Sequence, residues 1–282
     1  MEIVHGRKPA RAASSSLKHA VKMYVHLQKP HKPPPEKGDT RWMADDVSKA
    51  KQRNLHCGSY FLGIWNASAH GHEEARATAD SRSSAIIMNH VHDLLQNLSP
   101  LSQIITTLFQ VHTPATFCHQ LQLVHLARSL YPMSNSFFPI RRSCQLFLAI
   151  IANGSMQPHC DTRNRAHGLD LMTPIGSFRG GELYLDFGKG DTYVVEYKLG
   201  DIVILKGAVV VHWIGRFEGE HYGLVWFSHE ETQSCIWIGS IMACRILKKV
   251  VMKVFHFVRH CFSQLDCAFG ILPVKFKEFD DG

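Results

Sequence analysis

Within NGSMQPHCDTRN, residues 153–164, His159 and Asp161 stand two positions apart. In an extended segment that spacing sends both side chains to one face, so an imidazole and a carboxylate can grip one ion from the same side. A second imidazole, His212, follows the apolar run AVVV. Two imidazoles and one carboxylate are the donor set expected of non-haem Fe(II), which leaves coordination positions open for other ligands. In a chain with 19 histidines an isolated His-x-Asp says little; it gains weight from its surroundings. His167 is a rival ligand by proximity only, and a solvent-facing loop histidine is its simpler reading. Arg163, Asn164 and Arg165 directly follow the motif, where they would line the mouth of a site, touch a phosphate, or form an exposed loop.

The segments around these residues are short and separated by glycine turns. CQLFLAII (144–151) is an apolar run of strand length, and ELYLDF (182–187) alternates so that Leu183, Leu185 and Phe187 share a side. TYVVEY (192–197), DIVILK (201–206), AVVVHW (208–213) and GLVWFS (223–228) are further candidate strands, punctuated by Gly180-Gly181, Lys189-Gly190, Leu199-Gly200 and Lys206-Gly207. Many short strands with no βαβ alternation imply a closed or sandwiched antiparallel fold.

Upstream the period changes. Ile87, Val91, Leu94, Leu95 and Leu98 fall on one helical face, which predicts a helix ending near Pro100, with a second short one through Ile104, Ile105 and Leu108. Thr113-Pro114 supplies an N-cap and a first-turn proline for a third helix that stops before Pro132. VKMYVHLQ (21–28) alternates enough for a short strand, SYFLGIW (59–65) reads as a strand or a buried turn, and Pro33-Pro34-Pro35 marks a linker. From about Trp237 to Phe262 a basic amphipathic helix is expected, its apolar face covering a sheet; lying on a membrane surface and binding nucleic acid are the alternatives. The organisation predicted is a basic tail and Pro-rich linker over 1–41, a mainly helical support region over 42–139, a core over 140–230, and a C-terminal helical extension over 231–282.

Taken together, His159-Cys160-Asp161, Gly180-Gly181-Glu182-Leu183, Gly200-Asp201-Ile202-Val203 and His212 stand in the order found in the Fe(II)/2-oxoglutarate-dependent dioxygenase superfamily, which residues 140–230 resemble. Within it the chain looks most like the fungal TET/JBP-type DNA base oxygenases. The resemblance implies an α+β fold whose core is a double-stranded β-helix, or jelly roll, flanked by N-terminal helices and a C-terminal helix. It implies Fe(II) on His159, Asp161 and His212, 2-oxoglutarate as cosubstrate, no catalytic residue beyond the metal triad, and 5-methylcytosine in DNA as a substrate. A protein side-chain hydroxylase and a catalytically inactive jelly-roll binding module are the alternatives. One position departs from the pattern. The Arg or Lys that pairs with the far carboxylate of 2-oxoglutarate in such enzymes is replaced by His221, whose charge depends on pH. Either His221 holds that carboxylate, or Arg216 folds back to do so, with a hydroxyl from Tyr184 or Tyr193 in support.

Composition sets the outer limits. With 282 residues and 45% apolar content the chain can bury a substantial core. Its net charge of +7 leans towards anionic partners such as nucleic acid, although no zinc finger or homeodomain pattern accompanies the core. Eight cysteines with no CxxC pair read as scattered thiols of a reducing compartment, nucleus or cytoplasm. No stretch reaches the roughly 18 apolar residues of a membrane span.

Overall fold

The computed structural model describes residues 2–4, 10–28, 46–66, 75–82, 84–130, 144–164, 166, 168–188, 190–230, 232–234 and 236. Outside them lie the Pro33–Pro35 linker, the C-terminal helix expected over 237–262, Arg165 and His167. The described chain runs β1 (Glu2–Val4), α1 (Ala10–Gln28), α2 (Asp46–Gln52), β2 (Gly58–Asn66), β3 (Ala75–Ala77), α3 (Ala79–Arg82), α4 (Ala85–His112) and α5 (Pro114–Leu130). It continues with β4 (Phe147–Ala152), β5 (Asp170–Gly180), β6 (Leu183–Asp186), β7 (Thr192–Val195), β8 (Ile202–Leu205), β9 (Val211–Ile214) and β10 (Phe217–Phe227).

The strands form two antiparallel sheets, one of seven strands in the order β1-β8-β5-β10-β4-β2-β3 and one of three in the order β7-β6-β9. The arrangement is a mixed α+β fold resembling a double-stranded β-helix core, and among the described residues no strand pairing closes it into a barrel. Period-two alternation divides the large sheet cleanly. Tyr60, Leu62, Leu148, Ile150, Leu171, Ile175, Ile202, Tyr222, Leu224 and Trp226 are buried on the face that packs against α1 and α4. The opposite face turns Met172, Val203, Leu205 and Val225 towards Leu183 and Leu185 of the small sheet. The space between these two layers holds the site.

Both helices are fixed by their apolar stripes. Leu17, Val21, Tyr24, Val25 and Gln28 are the buried positions of α1, so the segment 21–28 is part of a helix and not the short strand that its local alternation suggests. The α4 stripe runs Ile87, Val91, Leu94, Leu95, Leu98, Ser102, Ile105 and Phe109, passing straight through Pro100. The two helices expected on either side of that proline are therefore one. A mid-helix proline costs about 3 kcal/mol, but Pro100 is exposed and burial of the stripe on both sides of it outweighs the lost bond. At the ends, the Ser84 side chain accepts from the Ile87 N–H, and Thr113 returns its N–H and hydroxyl to the Phe109 carbonyl.

Four strands, β1, β2, β3 and β5, are not predicted from the local pattern or lie outside the 140–230 segment. β2 pairs with β4 from Gly58↔Ala152 to Gly63↔Phe147, so a strand from the preceding region enters the large sheet, and β1 pairs with β8. β5 contains Pro174 and Gly176, which read as strand breakers. It nevertheless pairs with β10 along ten registers, and beyond Met172 it has a partner on one side only, the circumstance in which a proline's missing N–H is tolerated. The turn leaving β5 uses Gly180 and Gly181, with φ of 77° and 75°, a conformation that penalises any side chain at both positions.

Candidate metal centre

The segment after β4 runs back along β9. His159 donates its main-chain N–H to the His212 carbonyl at 3.2 Å and accepts from the His212 N–H at 2.9 Å, so the two histidines face each other in an antiparallel bridge, ring centroids 4.6 Å apart. On the other side of β9, His212 is registered with Leu185 of β6, which locks it into the small sheet. The Asp161 N–H donates to the Gly207 carbonyl at 2.9 Å, in the turn that precedes β9. Main-chain bonds thus fix all three candidate ligands relative to one another.

Their side chains converge. Nε2 of His159 is 3.9 Å from Oδ1 of Asp161, and Nε2 of His212 is 3.5 Å from Oδ2. One donor atom from each residue lies within 4.8 Å of the others. Each Nδ1 faces a main-chain carbonyl two residues earlier, Gln157 at 2.7 Å and Val210 at 2.9 Å. A carbonyl only accepts, so Nδ1 carries the proton in both rings and Nε2 is the nitrogen directed at the centre. Burial alone would lower the His212 pKa, but the Asp161 carboxylate, with help from the Val210 carbonyl and Asp170, raises it. A proton therefore competes with a metal for this nitrogen. The donor set, the fixed tautomers and the partial exposure of His159 and Asp161 fit a divalent ion with open positions, as expected of Fe(II).

The three ligands sit in the wall of a cavity of about 490 Å³ between the two sheets, within the usual range for small-molecule sites. Its walls are mostly apolar, with Ile151, Met172, Leu183 and Val225 among them. Gly223 of β10 adds open wall, since a Cβ there would meet nothing closer than Ile151 at 3.7 Å. Arg163, exposed, is the sole Lys or Arg lining the cavity among the described residues.

His221 belongs to the same face of β10 as Gly223 and Val225 and lines the cavity. Its main chain is clamped by Asn153, whose N–H donates to the His221 carbonyl at 2.7 Å and whose Oδ1 accepts from the His221 N–H at 3.0 Å. The ring lies between Phe178 and Phe217, 1% exposed, and neither ring nitrogen has a hydrogen-bond partner. Burial pushes its pKa down to about 4. The imidazole is thus neutral at physiological pH, with one N–H and one acceptor nitrogen, both buried and neither bonded within the protein. An unpartnered neutral imidazole of this kind would suit a carboxylate through one hydrogen bond, without a fixed cation.

The other residues considered for that carboxylate lie elsewhere. Arg216 is exposed and lines a separate notch of about 40 Å³ with Lys49, Arg53 and Asn153. Tyr184 stacks on Trp213, centroids 5.1 Å apart, on the outward face of β6. The alternation that places Leu183 and Leu185 inside also sends Tyr184 out. Tyr193 is exposed beside Phe187. A tyrosine that does line the cavity is Tyr197, buried, its pKa raised far above the ordinary value by burial and by Asp201. Asn164 is not on an exposed loop: it is buried, is part of the cavity lining, and donates from Nδ2 to Asp170 at 2.9 Å.

No family model and no curated protein sequence matches the chain. Among solved structures, NgTET1 in complex with 5mC DNA is similar with a TM-score of 0.47 at 15% identity, covering 78% of this chain and 92% of that one. A Pseudomonas putida prolyl-4-hydroxylase gives 0.36 at 11% identity, covering 81% and 92%. A prolyl hydroxylase from Trichoplax adhaerens, in complex with a hypoxia inducible factor oxygen degradation domain peptide fragment, gives 0.36 at 9%, covering 83% and 85%. These likenesses are weak, and the metal centre stands on its own donor atoms.

Proposed function

We propose that the protein is an Fe(II)- and 2-oxoglutarate-dependent dioxygenase on a double-stranded β-helix core, acting on 5-methylcytosine in DNA. The observation that carries the enzyme class is the convergence of His159, Asp161 and His212 in the wall of a cavity, with both histidines held in the tautomer that presents Nε2. In this reading those three residues hold the iron. With metal and cosubstrate bound, the centre would couple oxygen and 2-oxoglutarate, yielding succinate and carbon dioxide, to oxidation of a substrate C–H bond.

The chain's own residues orient and exclude. The Gln157 and Val210 carbonyls fix the imidazoles, and Asp161 supplies the one anionic donor. Met172, Leu183 and Val225 keep bulk water from the reacting atoms. His221 donates to the far carboxylate of the cosubstrate. Arg163 at the exposed rim and the net charge of +7 favour an anionic substrate, and DNA as that substrate follows the TET/JBP resemblance of the sequence. A nucleus or cytoplasm location is part of the same proposal.

One observation supports a second reading, an inactive binding module: the neutral, buried His221 stands where a fixed cation would serve better. Anaerobic titration with Fe(II) and then 2-oxoglutarate separates the two. The enzyme reading expects a visible metal-to-ligand charge-transfer band in wild type that is lost in His212→Ala. Iron binding without a band supports the inactive module, and folded protein that takes no iron rules out the metal site.

A further inference from the structure

We infer that Asp170 is a positioning residue for the metal centre, a buried carboxylate that holds Asp161 in place from behind; this rests on the metal reading of the site. Asp170 opens β5 and is 3% exposed. Its Oδ2 accepts from Nδ2 of Asn164 at 2.9 Å, and its carboxylate accepts the main-chain N–H of Gly207. Those same two residues hold the main chain of Asp161. The Asn164 N–H donates to the Asp161 carbonyl at 2.8 Å, and the Gly207 carbonyl accepts the Asp161 N–H at 2.9 Å. One carboxylate therefore ties together the donor and the acceptor that bracket the candidate ligand.

The packing shows that this brace is built in. A Cβ at Gly207 would stand 2.1 Å from Oδ2 of Asp170 and 3.3 Å from Oδ2 of Asp161. Gly207 is the position against which both carboxylates pack, and its missing side chain is what allows them so close. The fold itself gives no reason for an acid here. Asp170 is registered with Leu205 in the large sheet and followed by Leu171 and Met172, where an apolar residue would sit at lower desolvation cost. What the carboxylate does that an apolar side chain cannot is accept from Asn164 and Gly207 together. Metal ligands are commonly oriented by such outer hydrogen bonds, and losing one weakens metal affinity about 10- to 100-fold.

The test uses the full chain and Co(II) alone as probe, read by its visible ligand-field spectrum and by direct titration, with the melting temperature of each metal-free protein alongside. Asp170→Asn keeps the shape and removes the two-sided acceptor; Asn164→Ala cuts the link and leaves the carboxylate. Each is expected to weaken Co(II) binding about 10- to 100-fold and to change the spectrum, and the double variant to be no weaker than the worse single one, because both act through one link. Should Asp170→Asn fail to fold, Asn164→Ala carries the test alone. Variants that bind Co(II) as tightly as wild type with the same spectrum, while Asp161→Ala abolishes binding, would overturn the proposal and leave the metal site standing. If Asp161→Ala itself binds Co(II) like wild type, the metal reading fails and the inference with it.

Discussion

Replacing His221 with leucine should flatten the acid side of the protein's stability profile. In the folded chain the imidazole titrates at about 4 because it is buried, against an ordinary value of 6.5 that it regains on unfolding. A base whose folded pKa is depressed contributes stability above its unfolded pKa, and that stability is lost as pH falls through 6.5 towards 4. Working the two equilibria through, lowering the pH from 7.5 to 5.0 removes about 2 kcal/mol on account of this one group. Every other titrating residue is shared by wild type and His221→Leu, so the difference between the two isolates the imidazole. Urea unfolding of the metal-free proteins at the two pH values gives the measurement. The stability gap should move in favour of the leucine variant by about 2 kcal/mol at pH 5.0. A gap that stays within about 0.5 kcal/mol of its value at pH 7.5 would refute a neutral, desolvated His221, and with it the view that the cavity holds no fixed positive charge at this point.

Three further outcomes follow from the geometry. Because Asp161 raises the pKa of His212, protons should compete with metal, and Co(II) affinity should fall as pH is lowered through that raised pKa, by up to about tenfold per pH unit; titrations at pH 8, 7 and 6 check the sign. Arg216→Ala should leave 2-oxoglutarate affinity of the Fe(II)-loaded protein within about twofold of wild type, whereas His221→Ala should weaken it about tenfold, the worth of one hydrogen bond; equal effects would mean the arginine reaches the cavity. Trp226, fully buried between the large sheet and the helices, should cost about 3–5 kcal/mol on truncation to alanine, seen as a lower urea midpoint.

The donor set was legible in the sequence because it depends on side-chain type and on a two-residue spacing, both local. So were β6, β7 and β8, where alternation and glycine turns agree, the α4 stripe from Ile87 to Leu98, and the start of α5 at Thr113-Pro114. Where local signals pointed the wrong way, tertiary packing had decided the matter. VKMYVHLQ alternates over a few residues, yet from Leu17 to Gln28 the buried positions recur at helical spacing. Pro100 and Pro174 are breakers by propensity and are tolerated on exposed or one-sided positions. Asp170 gave no signal and Asn164 only its place beside the motif, because their roles depend on meeting Gly207, more than thirty positions along the chain. Tyr184, a candidate cosubstrate contact by position in the sequence, is turned outward by the alternation of its own strand.

The glycines of the β5–β10 pair differ in how much change they permit. At Gly176 and Gly219 a Cβ would stand 2.1 Å from a main-chain oxygen, so those positions are frozen. Gly223, midway along the cavity wall, meets only Ile151 at an ordinary contact distance. A methyl group can therefore be added there without moving the backbone, and a larger side chain would grow into the cavity. The room left for a substrate is thus governed by a position that mutation can reach cheaply, and a lineage of such proteins can change what it accommodates by single steps at residue 223 while His159, Asp161 and His212 stay as they are.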